Sequence, residues 1–186
     1  MAEEKLYVSY NTVHKLIKKL AKKIIDSGFD PDVIVAIGSG GFIPARILKT
    51  FINRPIYAVG ISYYGIDHKH REHPTKIQWI DEVQGQLRGK KVLLIDEVDD
   101  TRATLAYCVG ELLSYEPEEI AVLILHNKRK QKDVEFPPEI KRYYPALEVE
   151  DTWIKYPWDA DDIDEQERLE KEMFERMKKE GKELYV

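Results

Sequence analysis

Residues 92–104 run Val-Leu-Leu-Ile-Asp-Glu-Val-Asp-Asp-Thr-Arg-Ala-Thr, so an apolar stretch passes directly into acids and then hydroxyls. Asp96, Glu97, Asp99 and Asp100 put four carboxylates within five positions. Capping a helix needs only one of them. Adjacent acids such as Asp96 and Glu97 repel each other and persist best beside a divalent cation or hydroxyl donors. Thr101, Arg102, Ala103 and Thr104 then open a helix, whose unpaired N–H groups and positive dipole end can receive an anion. The segment therefore offers acids for hydroxyls or a metal, and N–H and O–H donors for a phosphate. A sugar phosphate carries both kinds of group.

A second cluster, Gly38-Ser39-Gly40-Gly41, follows the apolar run at 33–37. It is not a P-loop, because no Gly-Lys-Ser/Thr occurs in the chain. It begins like a dinucleotide fingerprint, but Ile43 stands where the third glycine belongs, and the next strand ends in Ser62 rather than in an acid for a ribose. An aspartyl-phosphatase register would align Glu97, Asp99 and Thr101, with glutamate in the nucleophile's place.

These groups need elements to position them. Val13, Leu16, Ile17, Leu20 and Ile24 recur at helical spacing, with Ser9 or Asn11 to cap the start and Gly28 to end it. The β-branched run at 33–37 reads as a strand buried on both faces. A helix with Pro44 near its start follows, and then a strand from Ile56 to Ser62. Residues 63–75 show no periodicity and hold three histidines, His68, His70 and His73. A strand is expected at 76–80, a turn at 87–90 and another strand at 92–95. A helix through Leu105, Val109 and Leu112 leads to a strand at 120–125. A charged helix from about 161 to 179 closes the chain. This alternation gives an α/β fold with a largely parallel sheet, in which ligands bind beyond the carboxyl ends of the strands.

Composition narrows the classes. The 29 Lys+Arg against 34 Asp+Glu give a net charge of −5, which argues against non-specific nucleic-acid binding. No apolar run reaches the ~20 residues of a membrane helix. No secretory signal is visible at the N-terminus, and one cysteine, Cys108, excludes an internal disulfide; a cytoplasmic protein is expected.

The stretch 92–105 closely resembles the phosphoribosyl-pyrophosphate (PRPP) binding motif of type I phosphoribosyltransferases: strand, acidic pair and Asp-Thr-x-x-Thr all fall in register. Asp151-Thr-Trp-Ile-Lys-Tyr-Pro-Trp-Asp159 is similar to the purine-binding stretch of xanthine-guanine phosphoribosyltransferases. Residues 38–42 resemble the family's pyrophosphate loop. Lys128 falls where the family places a base-recognising lysine. Ser62 and Tyr63 open the region of its mobile catalytic loop.

The resemblance implies a single phosphoribosyltransferase domain over 1–186. Its mostly parallel sheet would be flanked by helices, with a small hood at about 127–160. It also implies Mg²⁺-dependent transfer of phosphoribose from PRPP to N9 of a 6-oxopurine (hypoxanthine, guanine or xanthine), with release of pyrophosphate and a nucleoside monophosphate. By that analogy Asp96 and Glu97 hold the ribose hydroxyls directly or through Mg²⁺, and Asp100 accepts the purine N7 proton. Asp99 belongs to the same PRPP motif, in which residues 101–104 cradle the 5′-phosphate. Ser39, Gly40 and Gly41 meet the pyrophosphate, in a loop where the family often has a non-proline cis bond. Lys128, Trp153, Ile154 and Asp159 read the base. No nucleic-acid or membrane partner is implied, and a homodimer or homotetramer is, with Tyr143, Tyr144 and Tyr156 as exposed aromatics for the interface. Two positions depart from the family. Arg102 stands where many members have glycine, and its side chain would crowd the phosphate or contact it. Ser39 stands where many have a basic residue, which leaves Arg46, Lys69 and Arg71 as candidate cations. Two other readings are a PRPP- or nucleotide-sensing regulator on the same fold, and the aspartyl phosphatase.

Overall fold

The computed structural model describes residues 5–64 and 70–181, with the side chains of 63, 64 and 70–73 left aside. The elements in order are β1 (Lys5–Tyr7), α1 (Tyr10–Asp26), β2 (Val33–Gly38), α2 (Phe42–Leu48), β3 (Ile56–Tyr64), β4 (His70–Gln78), α3 (Val83–Leu87), β5 (Lys91–Asp99), α4 (Ala103–Leu113), β6 (Glu119–Lys128), β7 (Arg142–Val149), β8 (Trp153–Lys155), a 3-10 turn (Pro157–Asp159) and α5 (Ile163–Lys179). A six-stranded sheet has the order β4-β3-β2-β5-β6-β7. All its neighbours are parallel except β3 and β4.

The continuous apolar runs follow from two-sided burial. Ile34 and Ala36 of β2, Leu93 and Ile95 of β5 and Ala121 and Leu123 of β6 face one core, built with Val13, Leu16, Ile17 and Leu20 of α1. Val33, Val35, Ile37, Val92, Leu94, Ile120 and Val122 face the other, built with Leu105, Val109 and Leu112 of α4. Each strand alternates with period two, yet both of its faces are apolar. Ser9 caps α1 by accepting a hydrogen bond from Thr12 N, and Gly28 leaves that helix with φ +73°.

The sequence reading places these main elements and misses the others. β5 runs on through Asp96 to Asp99, so Asp96, Glu97 and Asp99 belong to the strand and only Asp100 to the bend after it. β4 reaches back to His70 as the antiparallel edge partner of β3. An edge strand held by main-chain pairing needs no apolar alternation, which is why the sequence shows none there. The strands β1 and β8 pair only with each other, in a small parallel sheet. No helix among the described residues is long and apolar enough to cross a membrane.

Candidate active site

β2 and β5 are adjacent at the middle of the sheet, where the strand order reverses; such a switch point opens a crevice at the strand ends. Their last paired residues, Ala36 and Ile95, stand two positions before Gly38 and Glu97. A cavity of about 270 Å³ opens there. Gly38, Ser39 and Gly40 line one side, and Asp96, Glu97, Asp100, Thr101, Arg102, Ala103 and Thr104 the other. The two clusters read from sequence thus share one cavity. The Gly38–Ser39 peptide bond is cis, as the resemblance led one to expect for this loop.

Gly40 passes directly over Glu97: an added Cβ would fall on its carboxylate. Asp96 is buried, and its Oδ1 accepts from Glu97 N at 2.9 Å. Burial first, and then the charge of Glu97, push the Asp96 carboxyl well above the usual carboxylate range. Glu97 Oε2 is buried without a hydrogen-bond partner. Such a pair is completed by a cation or by hydroxyl donors. Thr101 Oγ1 accepts from Ala103 N at 3.4 Å at the start of α4, whose other first-turn N–H groups face the cavity end of the helix.

Asp100 and Lys128 come together, with Nζ 3.3 Å from Oδ1. Lys130 lies 2.9 Å from the same oxygen, and both lysines reach Asp151. Asp99 does not line the cavity. Its carboxylate is fully buried, with Oδ2 accepting from Arg102 Nε at 2.9 Å and Tyr143 Oη at 2.8 Å. Arg102 sits at φ +71°, in the left-handed region that favours glycine. Its guanidinium lies on Asp99, Glu135 and the ring of Phe136, and the residue also contributes to the cavity lining. The buried Asp99 carboxylate and the Phe136 ring hold the guanidinium on one side, and the exposed Glu135 meets it on the other.

Trp153 is exposed on β8, Ile154 is packed in the core opposite Leu6, and Asp159 is exposed at the 3-10 turn. None of the three is among the cavity's lining residues. Tyr144 and Tyr156 are buried, not exposed; Tyr144 packs in the core beside α1, and Tyr156 stacks on Trp158. Ser62 lies in β3 and its carbonyl accepts from Thr75 Oγ1. Arg46 is exposed on α2. The side chains of Tyr63, Arg71, His70 and His73, together with Lys69 and His68, lie outside the described residues.

Sequence reasoning missed a buried relay behind the site. Tyr156 Oη donates to Glu97 O at 2.9 Å, and His126 Nδ1 is 2.8 Å from the same hydroxyl. The phenol's one proton is used on Glu97, so His126 must donate and carries its proton on Nδ1. Burial holds this imidazole down to about 3. A histidine left neutral in the fold and free to protonate when unfolded favours the unfolded state as acid is added. Its stabilising share is full above the unfolded value near 6.5 and is lost as pH falls towards 3. We expect wild-type stability to drop by roughly 1 kcal/mol between pH 6.5 and 5.5 from this group alone. Urea titrations across that range, with His126→Asn as the non-titrating control, should show a slope in the wild type that the variant lacks.

Buried acids, a helix start and a glycine loop around one cavity define a protein that takes a phosphorylated, hydroxyl-bearing ligand. A model of the phosphoribosyl transferase domain matches residues 9–161, and the chain belongs to the phosphoribosyltransferase family, whose members are glycosyltransferases. It is 42% identical to xanthine phosphoribosyltransferase 1 of Saccharomyces cerevisiae, over 92% of this chain and 98% of that protein. It is 42% identical to the hypoxanthine-guanine phosphoribosyltransferase of Schizosaccharomyces pombe, over 87% and 92%. Among solved structures it resembles a hypothetical protein from Neisseria gonorrhoeae with bound ppGpp, at 45% identity, coverage of 92% and 98%, and a TM-score of 0.85.

Proposed function

We propose that the protein transfers the 5-phosphoribosyl group of PRPP to N9 of a 6-oxopurine and releases pyrophosphate. The observation that carries this is the cavity joining the Gly38–Gly40 loop to Glu97, Asp100 and the start of α4, with Lys128 3.3 Å from the Asp100 carboxylate. The names of the two yeast relatives support the purine as acceptor.

Each residue then has a chemical task. The N–H groups and hydroxyls of 101–104 bind the 5′-phosphate, and Asp96 and Glu97 accept from the ribose hydroxyls. The raised Asp96 carboxyl and the unpartnered Glu97 Oε2 also fit a divalent cation. No cluster of three or more ligating side chains exists among the described residues, so Mg²⁺ here would rest on these two acids, with waters and substrate oxygens completing its shell. When bound, it would supply positive charge to the departing pyrophosphate. The N–H groups of Ser39 and Gly40 serve the same leaving group, whereas that of Gly41 is taken by Ile37 O and holds the loop in place. Asp100 removes the N7 proton as N9 forms the bond to C1′ and the C1′–O bond to pyrophosphate breaks, its electrons leaving with that oxygen. Lys128 donates to the 6-oxo group. An ammonium has no acceptor for a 6-amino group, so adenine is refused. In the phosphatase register Asp99 is fully buried and does not line the cavity, with Arg102 and Tyr143 both on its Oδ2.

The ppGpp bound to the Neisseria relative favours one further reading, in which the cavity also receives a guanine nucleotide with extra phosphates. Both readings meet in one experiment. Purified protein is given PRPP and Mg²⁺ with hypoxanthine, guanine, xanthine or adenine, with and without ppGpp. We expect nucleotide from at least one oxopurine, none from adenine, and competition between ppGpp and PRPP. Bound ppGpp without product from any base would replace the transferase by a nucleotide sensor.

A further inference from the structure

Lys132 lies in the connection between β6 and β7 and belongs to no motif. Its Nζ donates to the main-chain oxygens of Asp99 at 2.7 Å, Asp100 at 2.9 Å and Lys128 at 3.0 Å. An ammonium has three donors, and three carbonyls take them all. The side chain is only 8% exposed. The Asp99 carboxylate stands farther off, with Oδ1 at 3.5 Å, while its Oδ2 accepts from Arg102 and Tyr143. Lys132 thus gives its hydrogen bonds to the carbonyls and meets the Asp99 carboxylate only as a longer ion pair. One residue on, Asp133 N donates to Thr101 O at 3.0 Å, so the connection stays docked along the same turn.

The three carbonyls come from two strand ends. Asp99 closes β5 and Asp100 follows it, while Lys128 closes β6. The side chains that follow from these main-chain positions have opposite tasks at the purine. Asp100 takes a proton from one edge of the base, and Lys128 gives a hydrogen bond to the 6-oxo group. The two must be correctly spaced to act on one ring. In the transferase reaction a misplacement of about 1 Å costs on the order of 10²-fold in rate.

We propose that Lys132 is a positioning residue for the transfer: its ammonium ties the main chain of Asp100 to that of Lys128, so that both meet the same purine. This rests on the reading of Asp100 and Lys128 given above. The 5′-phosphate site depends less on Lys132, because Ala103 and Thr104 belong to the first turn of α4 and Thr101 O is held by Asp133 N.

The test uses the full chain with Lys132→Ala and Lys132→Met. Steady-state kinetics are measured with the base varied at saturating PRPP and with PRPP varied at saturating base, with and without propylammonium. We expect kcat/KM for the oxopurine to fall by about 10–10²-fold in both variants, and KM for PRPP to change by less than about threefold. Propylammonium should restore part of the lost rate in Lys132→Ala. It should leave Lys132→Met unaffected, where the side chain fills the space. If Lys132→Ala folds poorly, the kinetic split in Lys132→Met decides. Wild-type kinetics in the folded variants, or an equal rise in both KM values with no response to the amine, would overturn the proposal. A wild-type protein that makes no nucleotide from any oxopurine overturns the transferase reading itself, and this control is scored before either variant.

Discussion

Asp100→Asn is expected to lower kcat by about 10²–10⁴-fold with every oxopurine, while PRPP still binds and the fold melts near the wild-type temperature. Burial alone would raise this carboxyl. The hydrogen bond from Lys130 and the nearby charge of Lys128 outweigh it and hold the group below its usual value. Asp100 is therefore ionised at neutral pH and ready to accept a proton. In the free protein two ammonium groups quench it, at 2.9 and 3.3 Å. A purine that draws Lys128 onto its 6-oxo group removes one of them and strengthens the base at the moment it is needed. Asparagine keeps the shape and the lysine contacts but is a far weaker proton acceptor. The side chain is 45% exposed, so the fold depends little on it. Single-turnover rates with saturating PRPP, alongside calorimetric PRPP binding, separate the two effects. A variant within threefold of wild type would remove Asp100 from the proton transfer.

What the sequence made legible is what local chemistry determines. An apolar run followed by acids and then hydroxyls specifies a strand end and a helix start by itself, and so Asp96, Glu97 and residues 101–104 line one cavity. The partners of those residues lie far along the chain. Tyr143 reaches Asp99 across 44 positions, Lys132 reaches Asp99 across 33, and Tyr156 reaches Glu97 across 59. No spacing rule shows such contacts. The same holds for β7, whose Arg142, Pro145 and Glu148 obscure a strand that the parallel ladder to β6 nevertheless builds. Arg102 illustrates the limit. Its place beside the cavity was readable, but its direction was set by Asp99 together with Glu135 and Phe136, and the sequence does not bring the last two near it.

Two neighbouring glycines, Gly40 and Gly41 in the loop between β2 and α2, separate stability from activity. Gly41 has φ −72° and ψ −12°, which alanine adopts freely, so backbone freedom does not explain it. Space does. A Cβ at Gly41 would stand 2.5 Å from Ile95 O and 2.7 Å from Ile37 O. Both oxygens belong to the central strands β5 and β2, and neither can retreat without moving a strand. Gly41 N also donates to Ile37 O at 2.8 Å, which holds the loop down against that surface. Overpacking at such a site costs about 1–3 kcal/mol and sometimes more. For a domain of this size each kcal/mol lowers the melting temperature by roughly 2–4 °C. Gly41→Ala is therefore expected to melt up to about 10 °C lower. At Gly40 the obstacle is the Glu97 carboxylate, the end of a flexible side chain. Gly40→Ala should keep the wild-type melt but displace Glu97 from the ribose position, weakening PRPP binding about tenfold, the worth of one charge-assisted hydrogen bond. Thermal melts and PRPP titrations of both variants check the pair. A Gly41→Ala protein that melts like the wild type would mean that the loop lifts off β2 and β5 more easily than this packing allows, and a Gly40→Ala protein that binds PRPP normally would place Glu97 outside the ribose site.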